Sequence, residues 1–526
     1  MPIGPTIPIT TTTAPGGNGM IPGQGREMGI RIIAVQRRSI MKRIFPGALV
    51  LLVSIAMAGM VLAQPNIPKD KIPADLPAEV KGMIEGLYSE DASKRAEAAM
   101  SLGTMGDKAK AAIPFLVGLL GDDKGVELKI PGAEITNATS PGVEAAVALG
   151  RIGPVALEPV LEALKDKNDK VRILAAAALE EMADPRAVEP LMAALKDPNE
   201  DVQAGVARAL GEIGDPKAVP ALVAALEDKK PATRASALVA LAEINDIKAF
   251  PAVVKALKDP DAKVRRLAAL ALSELKDPKA GPSLTAALKD KDAGVRAAAA
   301  LTLGELGDPR ALKPLLDTLK DPSPDVRGQV ALALGRLKNP KAEEALLAAL
   351  NDKDPNVKLH VIQALGELHS PKSVKPLMEA AKSGPPPVKS AAASALGKIG
   401  DPQAGMTLMQ LLRDENGYIR GLAAQGLGRI RTFRAVRPLI PSLRDKDPFV
   451  RYNAAWALGE IAAPQAVRPL LLTLKDENEC VREAAAQALE KITGKNFGLD
   501  QVAWHKYWET NKENYISSCA KGLCKH

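Results

Sequence analysis

The sequence predicts an all-α fold, a right-handed α-solenoid of about thirteen helix pairs with a 31-residue period. Three observations lead there. The period holds without slippage from Gly153 to the end of the array, each repeat opens on a residue type that caps helices, and the composition is that of stacked short helices. Aromatic residues make up only 3% of 526 residues, while 25% are charged. Such a balance argues against a sandwich or a doubly wound enzyme.

The repeat is visible by eye. "DPRAVEPLMAALKDPNEDVQAGVARALGEIG" (Asp184 to Gly214) is followed directly by "DPKAVPALVAALEDKKPATRASALVALAEIN". Looking for such self-similarity first decides the architecture. In the column that opens each repeat, from Gly153 through Asp184, Asp215 and onward to Ala463, nine of eleven residues carry a side-chain oxygen. Pro commonly follows, as at Pro185 and Pro309. An oxygen that accepts from exposed helix N–H groups, then Pro at the first helical position, is a helix start with a mechanism.

Eleven residues later stands a Leu column, exemplified by Leu257 and Leu288, and two residues on an Asp column, exemplified by Asp259 and Asp290. Six residues beyond lies a basic column that includes Arg234, Arg265, Arg296 and Arg327. The second helix is expected to open at this column, with Val264, Ala268, Leu272 and Leu275 at helical spacing along its apolar side. Matching Asp accompanies nearly every Arg. The two columns are therefore expected to cap turns and to bond neighbouring repeats, rather than to bind anions.

The pattern "DPxAVxPLxxALKDxxxxVRxxAAxALGEIG" resembles HEAT repeats, and in particular the short HEAT-like units of phycobilisome lyases. It covers most of residues 76–493. The resemblance implies a solenoid whose units bury their faces only against neighbours, with a long concave face built from the second helices. It says little about function, because such scaffolds serve unrelated tasks.

The expected organisation is low-complexity sequence at 1–40, a signal peptide at 41–63, a linker at 64–75, the repeat array at 76–493, and a C-terminal cap and tail at 494–526. Asp107 to Gly153 is 46 residues, 15 more than one period, which places an insertion at 122–141 between the two helices of one repeat. It is expected to be a long irregular loop. Trp504, Tyr507 and Trp508 fall on one side of a helix that would cover the open end of the stack.

The formal charge of +8 raises the question of nucleic acid. Its distribution answers it. Residues 1–63 hold six basic residues and one acid, so the remaining chain, with 64 basic and 61 acidic residues, is only +3. A nucleic-acid partner loses its support. From Met41, "MKRIFPGALVLLVSIAMAGMVLAQPN" has a basic start, an apolar run and small residues before Gln64, the pattern of a secretory signal. The chain is expected to be exported to the periplasm or exterior and cut after Ala63, with membrane contact only through an uncleaved signal segment. Export permits disulfides. Cys519 and Cys524 can close a small loop, leaving Cys480 unpaired.

The residues that would mark an enzyme are missing. The sequence has no Gly-x-Ser-x-Gly, no phosphate loop, no His-Glu-x-x-His and no Cys-x-x-Cys. Deoxyhypusine hydroxylase, built of similar repeats, binds iron through His-Glu pairs, and none of the four His here is followed by Glu. His360 and His369 are expected to be solvated surface residues rather than metal ligands. Phycobilisome lyases handle a bilin in the cytoplasm, which an exported chain would not meet. The expectation is a non-catalytic scaffold with no cofactor or metal and a protein or peptide partner. A bilin-lyase-like enzyme or enzyme subunit and an architectural envelope component are the alternatives.

The partner-binding candidates are aromatic. Ten of the fourteen aromatic residues lie from Tyr418 onward, and "FVRYNAAWALGEI" packs Phe449, Tyr452 and Trp456 into eight positions. At 100° per residue these three cluster away from the core stripe of Val450, Ala454, Leu458 and Ile461. Tyr418, Phe449 and Cys480 share one column across three repeats. The aromatics either recognise a partner or pack laterally between second helices.

Overall fold

A computed structural model describes residues 65, 67–129 and 136–520. The low-complexity and signal segments lie outside them, as do Cys524 and the side chain of Cys519, and with these the expected disulfide. Among the described residues no helix is long and apolar enough to cross a membrane. The chain divides after Met182 into two compact units, each a stack of helix pairs. Among the described residues three pairs lie in the first and ten in the second, both stacks of the all-α solenoid type.

Each regular first helix is a single 3₁₀ turn that runs into seven α-helical residues, such as Pro185–Ala187 and then Val188–Ala194. Asp184, Asp215, Asp246, Asp277, Asp308, Asn339 and Asp401 accept from the backbone N–H two residues on, as the opening column predicts. Ser370 departs from this. Its hydroxyl donates to Glu343 Oε1 at 2.6 Å instead.

The second helices open three residues earlier than the basic column. Helix Ala262–Leu275 begins under a cap from Asp261, which accepts from the N–H groups of Lys263 and Val264, so Arg265 sits in the first turn. Asn199, Asp292, Asp354, Asn416, Asp447 and Asn478 cap other second helices in the same way. The displacement has a use. From the first turn the guanidinium can fold back over the preceding loop, and Arg265 Nη1 donates to the carbonyls of Asp259 and Pro260 at 2.9 and 3.0 Å.

Its other edge reaches the next repeat. Arg265 Nε and Nη2 meet Asp290 Oδ2 and Oδ1 at 2.7 and 2.8 Å, and the same fork joins Arg234 to Asp259, Arg296 to Asp321, Arg327 to Asp352, Arg420 to Asp445 and Arg451 to Asp476. These pairs are almost wholly buried, with both sides satisfied by several hydrogen bonds, the arrangement that makes a buried ion pair tolerable. In the first unit Arg95 bonds Asp122 at 2.7 Å. Gln203 interrupts the row, and its side-chain oxygen accepts from Thr233 Oγ1 at 2.5 Å instead.

Successive second helices pack closely because a Gly of one faces an Ala of the next. A Cβ on Gly335 would stand 2.7 Å from Ala364 Cα, and on Gly459 2.7 Å from Ala488 Cα. Backbone blocks the way in both cases. This close approach is the physical reason for the Gly in the recurrent "ALG" of the repeat.

The described ends of the insertion form a two-stranded antiparallel sheet. Strands β1 (Val126–Lys129) and β2 (Thr136–Thr139) pair antiparallel with Val126 opposite Thr139, so the expected irregular loop is corrected at its two stems. Period-2 alternation over four residues is too short a signal to read from sequence. At the far end, helix Gln501–Ala520 packs on Pro464–Thr473. Trp504 is 1% exposed, donates from Nε1 to the Gly498 carbonyl at 2.8 Å and meets Phe497 edge-on at 4.9 Å.

Candidate partner-binding face

The second helices Pro355–Glu367, Pro386–Ile399, Gly417–Ile430 and Pro448–Ile461 line up side by side and present one face away from the first helices. Of the predicted core stripe on helix Pro448–Ile461, Val450, Ala454 and Leu458 are buried, while Ile461 in the last turn is only half-buried. Buried Asn453 is held by its own helix, donating to the Phe449 carbonyl at 2.8 Å. The aromatic residues fall on the other side.

The four candidates separate into two kinds. Tyr418 and Phe449 stack with ring centroids 5.5 Å apart and planes 19° from parallel, and they remain 57% and 37% exposed. Phe449 lies over Gly421 of the preceding second helix, in space that a side chain there would fill. Tyr452 is exposed. Trp456 is half-buried against Gly428, where a Cβ would come within 2.7 Å of Cζ3. Lateral packing therefore accounts for most of Trp456 and for one face of Phe449, whereas Tyr418 and Tyr452 offer their surfaces to solvent.

Beside this row the side chains are small. Ser390, Ala391 and Ser394 leave a recess of about 430 Å³ that extends from Tyr418 and Leu422 to His360. Contrary to expectation, His360 is not a solvated surface residue. It is half-buried, its ring lies against Gly328, and Nδ1 has no hydrogen-bond partner. Burial holds its imidazole below the usual value, against the opposing pull of Asp325 and Asp354. His369 is exposed, as expected. The charged group lining the recess is Lys398, bonded to Glu367. Among the described residues no three His, Cys, Asp or Glu gather in a way that could hold a metal ion.

One feature of this face escaped the sequence reading. The column of Trp456 holds Val239, Leu270, Leu301 and Leu332 in four consecutive repeats upstream, each half-buried. Its signal, an apolar residue recurring every 31 positions on the outward side of the second helix, is present in the sequence. It is masked there because the same helices carry a deeper apolar stripe.

No curated protein matches the chain by sequence. Among solved structures, importin beta in an ammonium sulfate condition aligns over 79% of this chain and 69% of its own, at 15% identity and a TM-score of 0.56. The complex of CpcE and CpcF of phycocyanin lyase from Nostoc sp. PCC7120 covers 46% of this chain and 94% of its own, at 22% identity and a TM-score of 0.32. A PBS lyase HEAT-like repeat matches residues 94–122. Overlapping matches to the model described as HEAT repeats run without a gap from residue 143 to 490, well over half of the chain, which therefore belongs to the HEAT-repeat family.

Proposed function

We propose that the chain is a non-catalytic scaffold of the cell envelope or exterior that holds a protein or peptide partner on the face built from its second helices. The observation that carries this reading is the exposed Tyr418–Phe449 stack beside an open recess, in a chain with only 3% aromatic residues. Large, rigid aromatic side chains next to a concavity are what interface hot spots are made of. The recess sets one unpaired His beside an ion-paired Lys, a poor basis for acid–base or nucleophilic chemistry. Export rests on the segment from Met41 to Ala63 and on the near-neutral charge that remains without it.

Two measurements test the reading. Cross-linking and pull-down from exported fractions, with wild type and Tyr418→Ala/Tyr452→Ala side by side, should recover a partner that the variant loses. Retention of the same partners by both forms would remove this face from consideration. Amino-terminal sequencing of the exported protein should begin at Gln64, and finding the intact chain in the cytoplasm would end the export proposal.

A further inference from the structure

The first helices of the last three repeats differ from the two just before them. Gly405–Leu411, Val436–Ser442 and Val467–Thr473 contain no carboxylate, whereas Glu343–Ala349 carries Glu343 and Glu344, and Val374–Ser383 carries Glu379. Arg437 and Arg468 stand on these helices, and the adjoining turns supply Arg413, Arg434 and Arg444. All five are exposed, and none forms an ion pair with a described residue. Arg468 feels Glu509 of the terminal helix, a carboxylate already bonded to Lys512.

Two recesses lie between these helices. One of about 960 Å³ is lined by Met406, Met409, Arg434 and Arg437, and one of about 870 Å³ by Ile440, Arg444, Arg468 and Leu472. Pro441 and Asp445 line both, so the two adjoin. The carboxylates in them are already engaged, Asp445 by Arg420 and both Asp476 and Glu477 by Arg451. The arginines are left without an ion-paired carboxylate, while Met406 and Leu472, 60% and 55% exposed, stand at opposite ends.

We propose that these adjoining recesses form a docking groove for an extended acidic segment of a partner protein, carrying an apolar residue at every third position. Exposed arginines without carboxylate partners call for negative charge, and the Met, Pro and Leu side chains between them call for apolar contacts. A groove accommodates a chain better than it does a flat membrane. The spacing agrees as well. Neighbouring helices lie about 8–10 Å apart, and a polyproline-II segment repeats its face every three residues, about 9 Å. The groove lies on the first-helix layer and is independent of the aromatic face.

Fluorescence anisotropy of a labelled peptide of four Glu-Glu-Leu triplets, titrated with the full chain, tests the groove. The peptide should bind more weakly as salt rises, and Arg437→Ala/Arg468→Ala should lose about tenfold in affinity. Both arginines are exposed, so circular dichroism should be unaltered. Tyr418→Ala/Tyr452→Ala should bind this peptide like wild type, which separates the groove from the aromatic face. Equal affinity of wild type and the arginine variant would overturn the proposal, as would equal binding of a Lys-Lys-Leu peptide. Sedimentation with phosphatidylserine vesicles that the acidic peptide fails to displace would make a membrane the occupant and would also overturn it.

Discussion

Arg327 and Asp352 join two repeats through one planar group. Nε and Nη2 of the guanidinium meet the two carboxylate oxygens at 2.7 and 2.8 Å, while Nη1 donates to the carbonyls of Asp321 and Pro322 at 2.8 and 3.1 Å. One side chain thus ties its own interhelical turn to the next. Replacing Arg327 by Ala leaves a buried carboxylate without its counter-ion, bonded only by the Asp354 N–H, and takes the guanidinium donor from two carbonyls, and should cost about 3 kcal/mol. Arg327→Lys, with no fork, should recover only part of that in urea denaturation. Gln203→Arg would offer Asp228 the partner that the column implies, and should raise hydrogen-exchange protection at that junction.

The same row sets the acid limit of the fold. Hydrogen bonds from Arg265 and Arg327 hold the carboxyls of Asp290 and Asp352 below the ordinary value of 3.8, against the opposing effect of burial. At Asp321, Asp445 and Asp476 burial pushes upward, and the arginines still bring the net shift down. A carboxyl with a lowered folded value binds fewer protons folded than unfolded. The stability it contributes is complete above the unfolded value and lost as pH falls through the folded one. The urea midpoint should therefore be flat near neutrality and drop below about pH 4, with a smaller drop in Asp290→Asn.

Gly335 faces the Ala364 backbone, which cannot swing aside as a flexible side chain would. Gly335→Leu should cost about 1–3 kcal/mol by overpacking and should cut hydrogen-exchange protection in both helices. Gly494→Leu is the contrasting case for space, since nothing stands near its Cβ direction, and its cost would come from a φ of 70°.

Ala462 ends its helix in the left-handed region with φ 53°, where Gly214, Gly307 and Gly400 end theirs. A Cβ is disfavoured in this conformation. Ala462→Gly should stabilise the last repeats by about 0.5–1 kcal/mol, and an unchanged or lower urea midpoint would contradict that.

The two kinds of aromatic residue should respond differently to truncation. Trp456→Ala opens the space above Gly428 and should cost about 2 kcal/mol. Tyr452→Ala should stay within about 0.5 kcal/mol. Denaturation of the two single variants measures the difference.

The repeat boundaries, the capping column and the Asp–Arg row were legible because each rests on a short-range rule repeated many times. Asp184 caps as its position relative to Pro185 requires, and Arg265 stands 25 residues before Asp290 in a fixed register. The start of the second helix was misplaced because a second capping residue, such as Asp261, was available upstream of the conspicuous Arg. The candidate site was half legible. Its aromatics stood out by rarity, but whether Trp456 or Tyr452 is packed depends on Gly428 in the neighbouring helix, and helical periodicity alone places both off the core.

By itself the sequence determined the all-α class, the 31-residue unit and the number of helix pairs, since local capping and apolar spacing act within a single repeat. Tertiary structure alone decided which face of each helix remains open. It put small residues beside Tyr418 to form a recess, turned His360 onto Gly328, and brought Arg437 and Arg468 to adjoining recesses without carboxylate partners. These are relations between side chains about 31 residues apart, created when one repeat stacks on the next, and no single repeat contains them.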